Sequence, residues 1–209
     1  MSRYTGPRCR ICRRFGEKLF LKGVKCYHNC PLDRRPNPPG KPPHFRRRRI
    51  SPYGLGLMEK QKVRFLYGLT ERQFRRYFEM AQRRGGVLGE ELFKILESRL
   101  DRVLHRAGVS YSLPQVRQWV NHGHFLVNDQ KVDIPSYLVE PGDEIRVKPG
   151  SPIEKEVKEN LQRAQELGYP KDWLQVFPEQ GRVLFLRYPA RSEIQEPIND
   201  QLIIEFYTR

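Results

Sequence analysis

The stretch Ser98-Arg99-Leu100-Asp101-Arg102-Val103-Leu104-His105-Arg106-Ala107-Gly108, with Val116-Arg117-Gln118-Trp119-Val120-Asn121-His122-Gly123-His124-Phe125-Leu126-Val127 after it, decides how the chain is read. Leu100, Val103 and Leu104 recur at helical spacing and extend a pattern begun by Leu92, Phe93 and Leu96, so one helix is expected over about 90–106, closed by Gly108. Ser112 is placed to cap a second helix over 115–122, with Val116, Trp119 and Val120 apolar and Gly123 at its end. The period then changes. Phe125-Leu126-Val127 reads as a strand, Asn128-Asp129 as a turn and Lys131-Val132 as the return strand. Glu140-Pro141-Gly142-Asp143 is a further turn before the strand Glu144 to Val147. Two helices and a small sheet within some fifty residues make a compact α+β module.

Outward from this module the textures differ. Upstream, 59–67 is helical, and Thr70 with Gln73 forms a capping box for a helix over 71–84 that ends at Gly85-Gly86. That helix carries Phe74, Tyr77, Phe78 and Ala81 on one face. Residues 1–50 are rich in Pro, Gly and Arg, and Pro36, Pro38, Pro39, Pro42 and Pro43 deny them regular helix. Downstream, an amphipathic helix over 153–167 is followed by strand-like runs at 173–177, 183–187 and 202–207. The expected class is α+β. A basic arm spans 1–50 and a helical domain 51–98, the latter completed by 168–209; the small module covers 99–150, and a helix with C-terminal strands 151–209.

Charge points to the partner. Thirty-nine Lys+Arg against 24 Asp+Glu give a formal +15 on 209 residues. Residues 1–50 alone hold 15 basic and 2 acidic side chains, whereas 107–150 hold 4 and 5. A polyanion that releases counterions on neutralisation is the natural ligand of such a chain. No apolar run is long enough for a membrane span and Met1-Ser2-Arg3-Tyr4 opens no secretory signal, so a cytosolic protein with no membrane partner is expected. Arg46-Arg47-Arg48-Arg49, and Arg72, Arg75, Arg76 and Arg83 at helical spacing, are candidate phosphate contacts; a solvated charge run is the plain alternative.

Cys9-x2-Cys12 and Cys26-x3-Cys30 are two short-spaced thiol pairs in a segment with no core of its own. That pattern suits a zinc ion, and a four-thiolate set also suits an iron–sulfur cluster. Four unligated cysteines are the alternative.

The block 99–148 resembles the RNA-binding domain named after ribosomal protein S-four, through Ser98-Arg99-Leu100-Asp101, Val120-Asn121-His122-Gly123-His124, Val132-Asp133-Ile134-Pro135-Ser136-Tyr137 and Pro141-Gly142-Asp143-Glu144-Ile145. Met1 to Pro7, Glu59-Lys60-Gln61-Lys62, Tyr67-Gly68, Thr70 to Phe74 and Ile204-Glu205-Phe206-Tyr207 extend the resemblance to the bacterial S-four ribosomal family over nearly the whole chain. It implies a small-subunit component that binds the 5′ domain of 16S ribosomal RNA early and nucleates assembly. It further implies a neighbour, the S-five ribosomal protein near the mRNA entry channel, with an effect on decoding accuracy, and it brings the Arg46–Arg49 run near entering mRNA. It also implies that Lys60, Lys62, Arg99, Arg102, Arg106, Arg117, His122 and His124 face RNA. Leu113-Pro114 stands where the family's domain carries basic residues, so fewer charges are expected from the module itself.

No serine elbow, Walker loop or paired-carboxylate motif occurs, and the histidines lack a catalytic partner in sequence. The expectation is a binding protein and not an enzyme. The rivals are an RNA-modifying enzyme carrying the same module and a metal-dependent nucleic-acid-binding regulator.

Overall fold

The structure, a computed structural model, describes residues 4–40 and 50–208. The chain divides into two compact units, 1–92 with 195–209, and 93–194. The compact unit that holds the small α+β module therefore extends well past 150, and only the last fifteen residues, not 168–209, group with the first unit.

In the first unit the arm is more regular than its prolines suggest, with short helices α1 (Arg8–Phe15), α2 (Lys25–His28) and α3 (Pro31–Arg34). Ile11, Cys12 and Leu19 are buried, so a small apolar cluster organises it. Helix α4 (Pro52–Leu66) starts earlier than its apolar pattern indicates. Ser51 accepts the Gly54 amide at 3.1 Å and Pro52 sits at the first helical position, where its missing N–H costs nothing. Helix α5 (Glu71–Arg84) carries the expected capping box, Thr70 N–H donating to Gln73 Oε1 at 3.1 Å and Gln73 N–H to Thr70 Oγ1 at 3.4 Å.

The run Leu202 to Tyr207, expected as a strand, is instead part of helix α10 (Asp200–Thr208). A six-residue apolar run has no decisive period, and the neighbours choose. Asn199 Oδ1 accepts the Leu202 amide at 3.3 Å, and the helix lies on α4 at Gly56, where a Cβ would stand 3.0 Å from the Leu202 carbonyl oxygen. Phe78 and Tyr207 meet at 4.5 Å between ring centroids, which ties α10 to α5 as well.

The single helix expected over 90–106 is two, α6 (Leu88–Glu97) and α7 (Leu100–Ala107). Between them Arg99 is extended and bridges to Leu138; Val139 N–H donates to the Ser98 carbonyl and Leu100 N–H to the Tyr137 carbonyl, both at 2.8 Å. Tertiary hydrogen bonds to the 135–139 segment thus replace helical ones at this joint.

The second unit continues with α8 (Leu113–Asn121), β1 (Phe125–Val127), β2 (Gln130–Lys131), β3 (Glu144–Val147), α9 (Glu154–Glu166), β4 (Leu174–Phe177) and β5 (Arg182–Phe185). Asn128 and Asp129 adopt φ of 48° and 66°, the mirror-type hairpin turn their short polar side chains tolerate. The strands form one antiparallel sheet in the order β2-β1-β3-β5-β4. Pairing of Val127 with Ile145 and of Ile145 with Val183 places alternate apolar residues on one face. That face is buried with Leu100, Val103, Leu104, Val116, Val120, Val157, Leu161 and Trp173.

Gly108 ends α7 at φ +91°, and a Cβ there would overlap that of Ala164 on α9. Gly108→Ala is therefore expected to lower stability by about 2 kcal/mol in urea unfolding, because the left-handed backbone and the overlap both oppose it.

Candidate nucleic-acid interface

Helix α5 separates its residues by chemistry. Phe74, Tyr77, Phe78 and Ala81 are buried, while Arg72, Arg75, Arg76, Arg83 and Arg84 are exposed. The 3.6-residue period that buries the aromatic stripe sends the arginines outward. Arg75 meets Glu79 at 3.2 Å one turn on, an exposed pair that holds it weakly. These five side chains form a basic ridge, and Arg84 is the one member that the sequence pattern does not single out. The arm adds exposed Arg10, Arg14, Lys22, Lys25, Arg34 and Arg35. Sequence reasoning misses them because no period or motif marks them, only the local excess of charge.

Several expected RNA contacts lie elsewhere. Lys60 is buried, donating to Glu71 Oε1 at 2.6 Å with its ammonium 4.6 Å over the Phe206 ring. Lys62 is buried too, bound to Glu59 at 2.9 Å, Glu17 at 3.2 Å and the Pro197 carbonyl at 2.7 Å. Both lysines hold the first unit together, Lys62 joining the arm, α4 and the C-terminal segment.

Arg99, Arg102, Arg106 and Arg117 are also buried, which corrects the expectation that they face RNA. Arg99 grips Asp101 with two hydrogen bonds at 3.0 and 2.8 Å, and Arg117 reaches the same carboxylate at 2.6 Å. Arg106 grips Glu97 at 3.0 and 2.7 Å, with Arg102 on the same group at 3.3 Å. The physical reason is that Glu97 and Asp101 lie inside the unit, and a buried carboxylate must be matched by buried cations. Burial acts to raise the Asp101 pKa, but Arg99 and Arg117 outweigh it and hold the carboxyl below its ordinary range.

The two remaining expected residues sit at the end of α8. His122 is exposed and His124 half-buried, their rings 5.9 Å apart, with the His124 Nδ1 3.0 Å from Ser151 Oγ. Partial burial, then His122 and Lys148, lower the His124 pKa. Exposed Lys131 and Lys148 complete this corner. On the open face of the sheet, Arg146 pairs with Asp129 at 2.5 Å and Arg182 with Glu144 at 2.9 Å, so those charges are compensated. The Arg46–Arg49 run lies outside the described residues.

Cys12, Cys26 and Cys30 are buried and Cys9 is half-buried, all as free thiols. Burial pushes the Cys12 and Cys26 thiols up, and the neighbouring cysteines add to this, so the four lie within each other's electrostatic reach. Among the described residues, however, no group of three or more His, Cys, Asp or Glu is placed to hold one metal ion. As arranged the thiols do not fit a closed site. No helix among the described residues is long and apolar enough to cross a membrane.

The model of the ribosomal protein S4/S9 N-terminal domain matches residues 3–97, and that of the S4 domain matches residues 98–145. The small ribosomal subunit protein uS4 of Thermodesulfovibrio yellowstonii is 50% identical over the whole of both chains. The chain belongs to the uS4 family. The uS4 proteins of Halothermothrix orenii, 50% identical, and Thermus thermophilus, 48% identical, also align over the full length of both chains. The S4-domain match ends at 145, whereas the sheet it begins is finished by β4 and β5.

Replacing Glu97 by Gln is expected to cost about 3 kcal/mol in urea unfolding, since it strips charge from a buried cluster of two arginines. Neutralising exposed Arg76 or Arg83 should change stability by less than about 0.5 kcal/mol. The pH dependence has a defined sign. Desolvation, then Arg102 and Arg106, lowers the His105 pKa to about 3, below that of an unfolded histidine. The folded chain thus binds fewer protons, and this contribution, complete above about pH 6.5, is lost as pH falls toward 3. His105→Gln should flatten the stability profile over that window, checked by urea melts at a series of pH values.

Proposed function

We propose that this protein is a structural constituent of the bacterial small ribosomal subunit in the cytoplasm, a binder of ribosomal RNA and not an enzyme. The observation that carries the reading is full-length identity of about half to proteins named small ribosomal subunit protein uS4. The exposed basic ridge of α5 and the arm cations support it, because phosphate contacts need uncompensated charge at the surface. In the second unit four arginines serve the interior, so the larger share of electrostatic affinity belongs to the first unit.

Its target in this reading is the 5′ domain of 16S ribosomal RNA, bound early enough to nucleate assembly. A neighbouring S-five protein and the entering mRNA complete the surroundings, through which decoding accuracy is affected. Family membership supports these finer assignments. A salt titration of binding to a 16S 5′-domain fragment tests the central one. Affinity should exceed that for unrelated structured RNA, and Arg72→Gln with Arg76→Gln and Arg83→Gln should flatten the log–log salt slope by roughly one for each phosphate left unneutralised. Equal affinity for unrelated RNA would remove the assignment.

The metal reading of the arm is a separate proposal, supported by the donor set alone: four thiols, three of them buried, in one neighbourhood. Zinc, or alternatively an iron–sulfur cluster, would have to draw Cys9, Cys12, Cys26 and Cys30 closer together than they stand here, and would then cross-link the arm. Elemental analysis of the purified chain should find one metal site, lost in Cys9→Ser or Cys26→Ser; equal metal content in chain and variants would refute it.

A further inference from the structure

On the arm, Phe20 and Tyr27 are 44% and 61% exposed, and their rings lie 4.9 Å apart, inclined by 32°. Phe20 has φ +48°, a left-handed backbone that a bulky residue adopts only under constraint. The constraint is visible. The Gly23 amide donates to the Phe20 carbonyl at 3.4 Å, the Cys26 amide to the Gly23 carbonyl at 2.9 Å, and the Lys22 amide to Cys26 Sγ at 3.3 Å. Leu19, one residue earlier, is buried. The strained backbone therefore aims an aromatic ring into solvent, beside a second ring, where packing would have drawn both inward.

We propose that Phe20 and Tyr27 form a stacking platform for an unpaired RNA base, an inference that rests on the RNA-binding reading above. Charge selects this occupant. Lys22 and Lys25 are exposed in the same segment, and both acidic side chains of residues 1–50 are engaged, Asp33 with Lys18 at 2.8 Å and Glu17 with Lys62 at 3.2 Å. Exposed rings in a segment where exposed Lys22 and Lys25 have no carboxylate partner among the described residues match a base and its phosphates, the combination single-strand binders use.

The full-length chain is tested with two probes, a single-stranded RNA decamer containing one 2-aminopurine and a fully paired RNA hairpin. Wild type should quench the 2-aminopurine fluorescence on binding. Tyr27→Ala should weaken decamer binding about tenfold and abolish the quench, while hairpin binding and the salt slope stay unchanged, because a base-stacking group but no charge is removed. Tyr27→Phe should keep both. Phe20→Asn, whose side chain tolerates the left-handed backbone, should lose decamer affinity in the same way with a melting temperature equal to or above wild type. Wild-type quenching and affinity in both ring-removing variants would overturn the platform, leave RNA binding standing and point to a protein partner for these rings. An equal loss for hairpin and decamer would overturn it too, as a general folding effect. If wild type binds neither RNA, the underlying RNA-binding reading fails and the platform with it.

Discussion

Two buried carboxylates, Glu97 and Asp101, organise the second unit. Between them they hold Arg99, Arg102, Arg106 and Arg117, and each sits at the joint where α6 gives way to α7. A carboxylate so enclosed is costly unless matched in place, and the arginine forks match it with several charge-assisted hydrogen bonds. The matching fixes where α7 begins, the docking of α8 through Arg117, and hence the seat of the sheet on both helices. Removing one partner of such a buried cluster strands the charge of the others, which is why the arrangement is held as a whole.

The same constraint allocates charge across the molecule. A module rich in arginine by sequence is left with few uncompensated cations at its surface. The first unit differs because its basic residues occupy the outward face of α5 and an arm that lacks spare carboxylates. Lys60 and Lys62 mark the boundary between the two uses, being basic in type yet committed to Glu71, Glu59 and Glu17. Burial, not residue type, separates a phosphate contact from a rivet.

Conformational strain is placed with similar economy. Gly108 and Gly56 permit close approach of α9 to α7 and of α10 to α4, where any side chain would meet neighbouring atoms. Phe20 accepts a left-handed backbone without that excuse, and its surroundings hold it there through the Cys26 sulfur. The cysteine segment thus shapes the arm through hydrogen bonding and packing in addition to any ligand chemistry.

By itself the sequence determined the α+β class, the capped amphipathic α5 and the Asn128-Asp129 hairpin. It also set the charge gradient and the full-length resemblance to the uS4 family. Each of these rests on local chemistry: a cap, a 3.6-residue period, a short polar residue in a left-handed turn, a count of charges. Only tertiary structure decided that 90–106 is two helices, that 202–207 is helical, that β4 and β5 complete the module's sheet, and which arginines are available to RNA. Those outcomes turn on partners distant in the chain, Tyr137 for Leu100, Gly56 for α10, Asp101 for Arg117, and no local pattern records them. A buried arginine and an exposed one look the same in sequence, since what separates them is the carboxylate that folding brings to one and not to the other.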